Sequence, residues 1–423
     1  MRILHTSDWH LGRSFGTYGL LPDQEAFLTW FVTTAIDTEA ELVVISGDIY
    51  DRTQPPAEAI RAFNHAINQL NQAGIEVAAI SGNHDSADRV AMYSAFTETN
   101  GLILRGGYPD GADVVVRHYC DGPLAIAAIP FLDPRMMPPG FSLLDPTEGP
   151  FSHNRVVTTC AEAALAAIPS GMRSLSIAHG FIAGAQGSDS ERTPVASVGG
   201  SDHIGADVFK RFSYSALGHL HKPQTVGGSD TVRYSGTPLP YSFSETEQKS
   251  VVLVDMDTEG RCAIELLDVP IGKRVRTVRD TFENLLSADP DADSLIRVEL
   301  TDTSTVRDAK RRLEKVFPHI IELKLVNLAV RTSARPGGGA TARTLADDVT
   351  AFLETVTGGP ADTEQFAMIT NALAAAGADV GVVAPASPEP DRDYTATADE
   401  PAQGQFVFSL GETGDMGPAE EVA

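Results

Sequence analysis

At 423 residues the chain is too long for one ordinary core and predicts two domains with further segments. Its 42% hydrophobic and 21% charged residues and mean hydropathy of -0.08 are those of a soluble globular protein. No apolar stretch is long enough to span a bilayer, and the N-terminal MRILHTSDWH opens as a strand without a signal-peptide pattern. A net charge of -25 speaks against direct nucleic-acid binding, since phosphate contacts need Lys and Arg. Its distribution weakens that objection: from Gly381 onward nine acidic residues face one base, Arg392. Acidity of this degree favours a small-substrate enzyme or a protein whose basic surface comes from a partner. The cysteines Cys120, Cys160 and Cys262 are odd in number and far apart, which argues against a disulfide framework and for a reducing cytoplasm.

In chain order, Arg2–Thr6 reads as a strand and roughly Asp23–Glu39 as a helix. Leu42–Ser46 (LVVIS) is a fully apolar strand ending in Gly47-Asp48. A helix from about Ala57 places Ile60, Phe63, Ile67 and Leu70 on one face and ends at Gly74. Ile75–Ile80 is a buried strand running into Ser81-Gly82-Asn83-His84-Asp85, and Leu124–Pro130, Ser174–Ala178 and Tyr214–Leu217 are further strands. Apolar strands alternating with helices predict an α/β layered sheet, with reactive groups at strand C-terminal ends.

Near Leu266–Arg274 the pattern changes to a small α+β unit: strand Val275–Val278, helix Phe282–Leu286, strand Leu295–Leu300, helix Val306–Phe317 and strand Ile320–Leu328. RPGGGA (Arg335–Ala340) is a flexible linker by composition. Leu345, Val349, Phe352, Leu353 and Val356 then mark an amphipathic helix, which Gly358-Gly359-Pro360 breaks, and Thr363–Ala376 makes a second. Ala384–Gln405 has the composition of a disordered segment. The domains expected are 1–270, an α+β unit at 271–332, a linker at 333–341, a helical segment at 342–378 and an acidic tail at 379–423.

Five blocks each end an apolar strand with metal-type ligands: Asp8-Trp9-His10, Gly47-Asp48, Gly82-Asn83-His84-Asp85, Ala178-His179-Gly180 and Gly218-His219-Leu220-His221. Carboxylate, imidazole and amide oxygen suit manganese, iron or zinc, and no thiolate takes part. Two ions held side by side need a bridging ligand. A carboxylate has two oxygens and can bridge, whereas a neutral imidazole cannot, so Asp48 is the natural bridge. Each block also has a bland reading: a capping Asp-x-His, a common Gly-Asp turn, an Asx-turn, a hydrogen-bonded core histidine. Their recurrence in order, always at strand ends, is what makes coincidence a poor explanation.

These ordered motifs resemble those of the calcineurin-like metallophosphoesterases. The wider wording, HTSDWHLGR (His5–Arg13), SGDIYDR (Ser46–Arg52), SGNHDS (Ser81–Ser86), GHLHKPQ (Gly218–Gln224) and YSGTPLPYSFSE (Tyr234–Glu245), is similar to the SbcD family of bacterial double-strand-break repair nucleases within that group. The resemblance implies a four-layer β-sandwich flanked by helices, with a small α+β capping domain that binds DNA and C-terminal helices. It also implies two manganese ions: Asp8, His10, Asp48 and His221 at one, and Asp48, Asn83, His179 and His219 at the other. His84 would be no ligand but an acid or charge stabiliser for the leaving oxygen. Asp85 would orient its ring, or else make a structural Asx-turn. Some relatives carry a second histidine just after the Gly-Asp block where this chain has Asp51, which leaves that histidine's task without an owner here.

Ligand types alone also allow iron or zinc. Two cations neutralise the oxygens of a phosphodiester, acidify a bound water and clamp in-line geometry. Arg13 and Lys222 flank the motifs and are candidates for phosphate contact. The run Arg307, Lys310, Arg311, Arg312 and Lys315 either grips phosphates or forms a solvated helix face. His5, His65, His118, His153, His203 and His319 lack metal-type spacing. The expected function is that of a manganese-dependent DNA nuclease subunit, a 3′-to-5′ exonuclease on duplex ends and an endonuclease on single strands or hairpins. The resemblance further implies an SbcC-type, SMC-like ATPase partner docked on the C-terminal helices. It implies a homodimer, through helices near Phe63 and Met92, within a heterotetramer, and a cytoplasmic, nucleoid-associated location away from the membrane. The alternatives are a small-molecule or phosphoprotein phosphoesterase, or a dead scaffold, which predicts missing ligands where none is missing.

Overall fold

Two six-stranded sheets pack face to face, and helices cover their outer faces. The computed structural model describes residues 1–327 save 146, 148, 150 and 192–202, together with Gln365 and Met368. The linker, the helical segment apart from those two residues, and the acidic tail therefore lie outside the described residues.

The first half of the chain gives β1 (Arg2–Thr6), a hairpin of β2 (Ser14–Phe15) and β3 (Tyr18–Gly19), α1 (Leu21–Asp37), β4 (Leu42–Ile45), α2 (Ala57–Gln72), β5 (Glu76–Ile80), the short helices α3 (Ala87–Val90) and α4 (Ser94–Glu98), and β6 (Leu102–Arg105). There follow β7 (Val114–Tyr119), β8 (Gly122–Ile129), α5 (His153–Ala167), β9 (Ser174–His179), β10 (Tyr214–Gly218), β11 (Gln224–Val226), β12 (Ser229–Tyr234), β13 (Ser250–Met256) and β14 (Cys262–Asp268). One sheet runs β14-β13-β1-β4-β5-β6 and the other β11-β12-β10-β9-β8-β7. In the first, β1, β4, β5 and β6 are parallel; in the second, β8, β9, β10 and β12 are.

The continuous apolar strands are explained by burial on both faces. In β4, Leu42 and Val44 point into the core between the sheets, while Val43 and Ile45 meet α1 and α2. In β5, Ala78 and Ile80 alternate in the same way with Val77 and Ala79. Helix α1 buries Phe27, Leu28 and Phe31 against Trp9, and α2 buries Phe63, Ala66 and Leu70 beside them. Helix α5 covers the second sheet with Val156, Val157, Cys160 and Ala164. Helix, sheet, sheet, helix is the four-layer order that the family resemblance implies.

Beyond it lies the α+β unit: β15 (Arg274–Asp280), α6 (Phe282–Leu286), β16 (Ser294–Leu300), α7 (Ala309–Leu313) and β17 (Ile320–Leu325). Its three strands are parallel, and both helices pack on one core with Ile296, Val298 and Phe317. The helix expected over Val306–Phe317 is shorter because Asp308 sits in the left-handed region at φ 54° and interrupts it. Phe243 joins Val275 and Leu295 beneath the unit, with the Arg297 guanidinium 4.4 Å above its ring. The β2–β3 hairpin contributes Phe15 and Tyr18 to the same contact. Elements the sequence reading left unassigned include β6, β7, α5 and β11 to β14; β14 alternates half-buried and exposed residues, as an edge strand does.

Candidate metal centre

The parallel strands of both sheets deliver their C-terminal ends to one place. Asp8 and His10 follow β1, Asp48 follows β4, and Asn83, His84 and Asp85 follow β5. From the second sheet, His179 ends β9, and His219 and His221 follow β10. The backbone there is strained. Asp8, His10, Asp48 and His219 all have positive φ (53°, 44°, 49° and 107°), and only three other non-glycine residues among those described do. Such conformations persist only where the surroundings over-determine them, and they gather at functional sites. The strand ends hold one another: Asp8 N donates to Gly47 O at 3.0 Å and His10 N to Asp48 O at 2.9 Å. Gln24 of α1, buried, donates to the carbonyls of Trp9 and His10 and accepts from Gly12 N. Two glycines are required by contact: a Cβ on Gly82 would lie 2.1 Å from Asp48 Oδ1, and one on Gly218 would lie 1.9 Å from Ser46 O.

The seven predicted ligands fall into two clusters that share Asp48. His10 Nε2 lies 3.3 Å from His221 Nε2, and Asp8 joins them within metal-binding reach. On the other side, the Oδ1 of Asn83 lies 3.0 Å from His179 Nε2 and 3.0 Å from His219 Nδ1. Between the clusters, Asp48 Oδ2 is 3.6 Å from His10 Nε2 and 3.6 Å from His179 Nε2. Asp8 and the four histidines are almost wholly buried, as is Asp48.

The donor set fits divalent cations, and the hydrogen bonding says why. His179 Nδ1 lies 2.8 Å from Ser46 O, a carbonyl that can only accept, so Nδ1 carries the proton and Nε2 a lone pair. That lone pair faces the Asn83 oxygen, another acceptor. Ser190 Oγ donates to Glu245 Oε1 at 2.5 Å and so receives the His221 Nδ1 proton at 2.6 Å. His221 Nε2 is then a second lone pair aimed into the site. His10 Nδ1 and His219 Nε2 have no hydrogen-bond partner among the described residues, although both are buried. The two acceptors His179 Nε2 and Asn83 Oδ1, 3.0 Å apart, repel unless a cation lies between them.

Electrostatics agree with this reading. Burial, then the neighbouring His221, hold His10 well below the ordinary histidine range; burial, then His179, do the same to His219. Burial also lowers His179 against the opposing pull of Asp48. These rings stay neutral, the state that ligates metal. Burial and the Asp48 carboxylate push Asp8 well above the ordinary carboxylate range, and raise Asp85 to about 7. Without cations, the site holds more buried carboxylate than it can stabilise.

His84 stands at the edge of the cluster. Its backbone N–H donates to Asp48 Oδ1 at 2.8 Å and its ring packs edge-on against His10. The acceptor for its Nδ1 is the carbonyl of Asp51 at 2.8 Å. The orienting contact expected from Asp85 is therefore made elsewhere. The Asp85 carboxylate accepts from the backbone N–H groups of Ile49, Tyr50 and Gly82 at 2.9–3.0 Å and pins the loops after β4 and β5 together, a structural task. Arg13 Nη1 lies 3.5 Å from Asp51, and its guanidinium covers the Tyr241 ring. In the α+β unit, Arg311 pairs with Asp308 and Arg312 stacks on Phe282. Of the histidines without metal-type spacing, His5 is buried against Tyr214, His203 stacks on Phe181, and His319 meets Tyr18 edge-on.

Sequence reading did not assign roles to Ser190, Glu191, Glu245 or Lys249, all of which touch His221. Only Glu245 gave a signal, as the last residue of the YSGTPLPYSFSE block.

A family model of the calcineurin-like phosphoesterases matches residues 1–127. The SbcD subunit of the SbcCD nuclease of Staphylococcus epidermidis is 29% identical over 338 residues, which cover 77% of this chain and 86% of that protein. Among solved structures, TT1561 of Thermus thermophilus aligns at 17% identity and a TM-score of 0.36, covering 63% of this chain and 98% of its own. A dimetal phosphatase from Danio rerio aligns at 13% identity and a TM-score of 0.32, covering 64% and 98%. The Asp and His clusters can hold divalent metal ions, and the chemistry that goes with them is hydrolysis of phosphoester bonds. Over residues 1–127 the chain matches the calcineurin-like phosphoesterases, and over 338 residues it is similar to the SbcD subunit of the SbcCD nuclease.

Proposed function

We propose that the chain is a manganese-dependent DNA nuclease, the nuclease subunit of an ATP-gated repair complex of the SbcCD type. It cuts duplex ends as a 3′-to-5′ exonuclease and single strands or hairpins as an endonuclease. The observation that carries this reading is the position of Asp48 Oδ2, 3.6 Å from the Nε2 of His10 and 3.6 Å from that of His179. A carboxylate so placed is equipped to bridge two ions. Asp8, His10, Asp48 and His221 would hold one, and Asp48, Asn83, His179 and His219 the other. When bound, the pair supplies charge neutralisation at the phosphodiester and activation of water. Burial holds the His10, His179 and His219 rings neutral, and the Ser46 carbonyl and Ser190 hydroxyl turn the lone pairs of His179 and His221 inward. His84, its Nδ1–H tied to the Asp51 carbonyl, presents Nε2 toward the substrate, and as the doubly protonated imidazolium it would give the Nε2 proton to the leaving oxygen. Arg13 and Lys222 contact the substrate phosphates.

The remaining parts follow the same reading. Residues 1–270 form the nuclease domain, and 271–332 cap it and bind DNA. After the linker at 333–341, the segment 342–378 docks an SbcC-type, SMC-like ATPase. That partner also supplies the basic surface that a chain of net charge -25 lacks. Two copies pair through the groove between α2 and α4, about 810 Å³ in volume and rimmed by Met92, Tyr93 and Phe96. The complex works in the cytoplasm at the nucleoid; no helix among the described residues is long and apolar enough to cross a membrane.

The test is cleavage of labelled hairpin DNA and of a generic phosphodiester with manganese, with and without the ATPase. DNA cleavage that rises with the partner is expected. His84→Ala should keep both ions and lose about 10²–10⁴-fold in turnover. A wild-type chain that leaves DNA intact while turning over a small phosphodiester would overturn the nuclease reading in favour of a small-molecule phosphoesterase.

A further inference from the structure

Behind His221, on the side away from the cluster, the Ser190 hydroxyl that takes the ring's Nδ1 proton is the near end of a larger buried polar network. Glu245 and Lys249 are almost wholly buried, 1% and 6% exposed, although each carries a charge that is costly to desolvate. They pair at 2.6 Å between Lys249 Nζ and Glu245 Oε2, and Thr237 Oγ1 donates to the same carboxylate oxygen at 3.1 Å. Burial alone would raise Glu245, but Lys249 and His221 hold it well below the ordinary carboxylate range.

The other Glu245 oxygen is turned toward the site. Oε1 accepts from Ser190 Oγ at 2.5 Å and stands 3.4 Å from His221 Nδ1, while Ser190 Oγ stands 2.6 Å from that same nitrogen. The backbone of His221 is held as well. Its N–H donates to Glu191 Oε1 at 2.8 Å, and its carbonyl accepts from Lys249 Nζ at 3.1 Å. Every polar group of His221 except Nε2 is therefore fastened from behind. A carboxylate that receives a proton through a hydroxyl fixes which ring nitrogen is protonated and makes the other a better electron-pair donor. His10 Nδ1 faces Asp51 Oδ1 only at 4.0 Å, beyond hydrogen-bond reach, and His219 Nε2 has no hydrogen-bond partner among the described residues; His179 has the Ser46 carbonyl instead.

We propose that Glu245, acting through Ser190, is a positioning residue for His221, which sets the ring's tautomer and aim and thereby the affinity of the ion that His221 shares with Asp8 and His10. The inference rests on the two-ion reading and is tested separately from it. Manganese stoichiometry and affinity are measured by titration calorimetry and elemental analysis on the full chain, with the melting temperature of the metal-free protein as control. Wild type should bind two ions. Ser190→Ala removes only the linking hydroxyl at a half-buried position, and should keep one ion while binding the second ~10–100-fold more weakly. Ser190→Thr, which restores the hydroxyl, should recover most of that loss. Glu245→Gln should behave as Ser190→Ala does. If stranding the Lys249 charge unfolds it, Glu245→Gln combined with Lys249→Met removes the whole pair and should show the same selective loss.

Two ions at wild-type affinity in Ser190→Ala and in the Glu245 variant would overturn the assignment while leaving the two-ion reading intact. Equal weakening of both ions would also overturn it, because the network would then support the site as a whole and not this ring. A wild-type chain that binds no divalent ion would overturn both.

Discussion

The two histidines of Gly218-His219-Leu220-His221 do different work although they are two residues apart. His219 turns to Asn83 and His179, His221 to His10 and Asp8, and Asp48 stands between. The i, i+2 relation alone says that both rings share a face in an extended chain. It takes the φ of 107° at His219, which breaks the strand there, to aim the rings at different neighbours. The expected outcome is that His221→Ala loses the ion near Asp8 and His10 while His219→Ala loses the ion near Asn83 and His179, so each retains about one ion per chain. Metal content of the two purified variants checks this, and equal emptying of both sites in either variant would count against it. All seven positions that gather here were legible in the sequence, because each is a polar residue that interrupts an apolar strand end. The positioning residues were not. Ser190 and Glu245 are 55 residues apart and lie on loops with no periodicity, so only the folded chain brings them to His221.

Between the sheets, one element carries a titratable group that takes no part in the site. His5 of β1 is fully buried, its ring bonded to Tyr214 of the facing sheet at 2.9 Å and to Ser46 at 3.1 Å. Burial, then the Arg233 charge, lower it to about 3. The folded value lies below the ordinary 6.5, so its contribution to stability is complete above about pH 6.5 and is lost as pH falls toward 3. Urea unfolding of wild type and His5→Gln at pH 7 and pH 4 should show a smaller loss of stability on acidification in the variant. The difference between them should be on the order of a few kcal/mol. Identical acid losses would mean that other groups carry the transition. At the same scale, the parallel order of β1, β4 and β5 was readable from unbroken apolar runs, whereas the edge strands β7 and β14 were not, since alternation over a few residues is a weak signal beside long loops.

For the molecule as a whole, the exposed apolar rim of Met92, Tyr93 and Phe96, at 56%, 67% and 75% exposure, is unusual beside an otherwise charged surface. If two copies meet there, Phe96→Glu should convert a dimer to a monomer in light scattering after size exclusion, with an unchanged melting temperature. A wild-type chain that is monomeric at micromolar concentration would refute the pairing. The same scale locates part of the acid: nine acidic residues against one base beyond residue 380 carry -8 of the net -25, and the Asp8 and Asp48 carboxylates of the metal centre are ones that bound cations would neutralise.

Residue order alone was enough to identify which side chains meet at the strand ends and the layered α/β class, and the resemblance of the same motifs to a known family supplied the phosphoesterase chemistry. Ligand type and apolar patterning are local properties, readable over a few residues. Three relations emerge only on folding: Asp48 lies between two clusters, Asp85 ties loops and leaves the His84 ring to Asp51, and a buried Glu245–Lys249 pair stands behind His221. The contacts that build this centre join loops from two different sheets across 24 to 211 residues of chain, and no spacing rule along the chain records them.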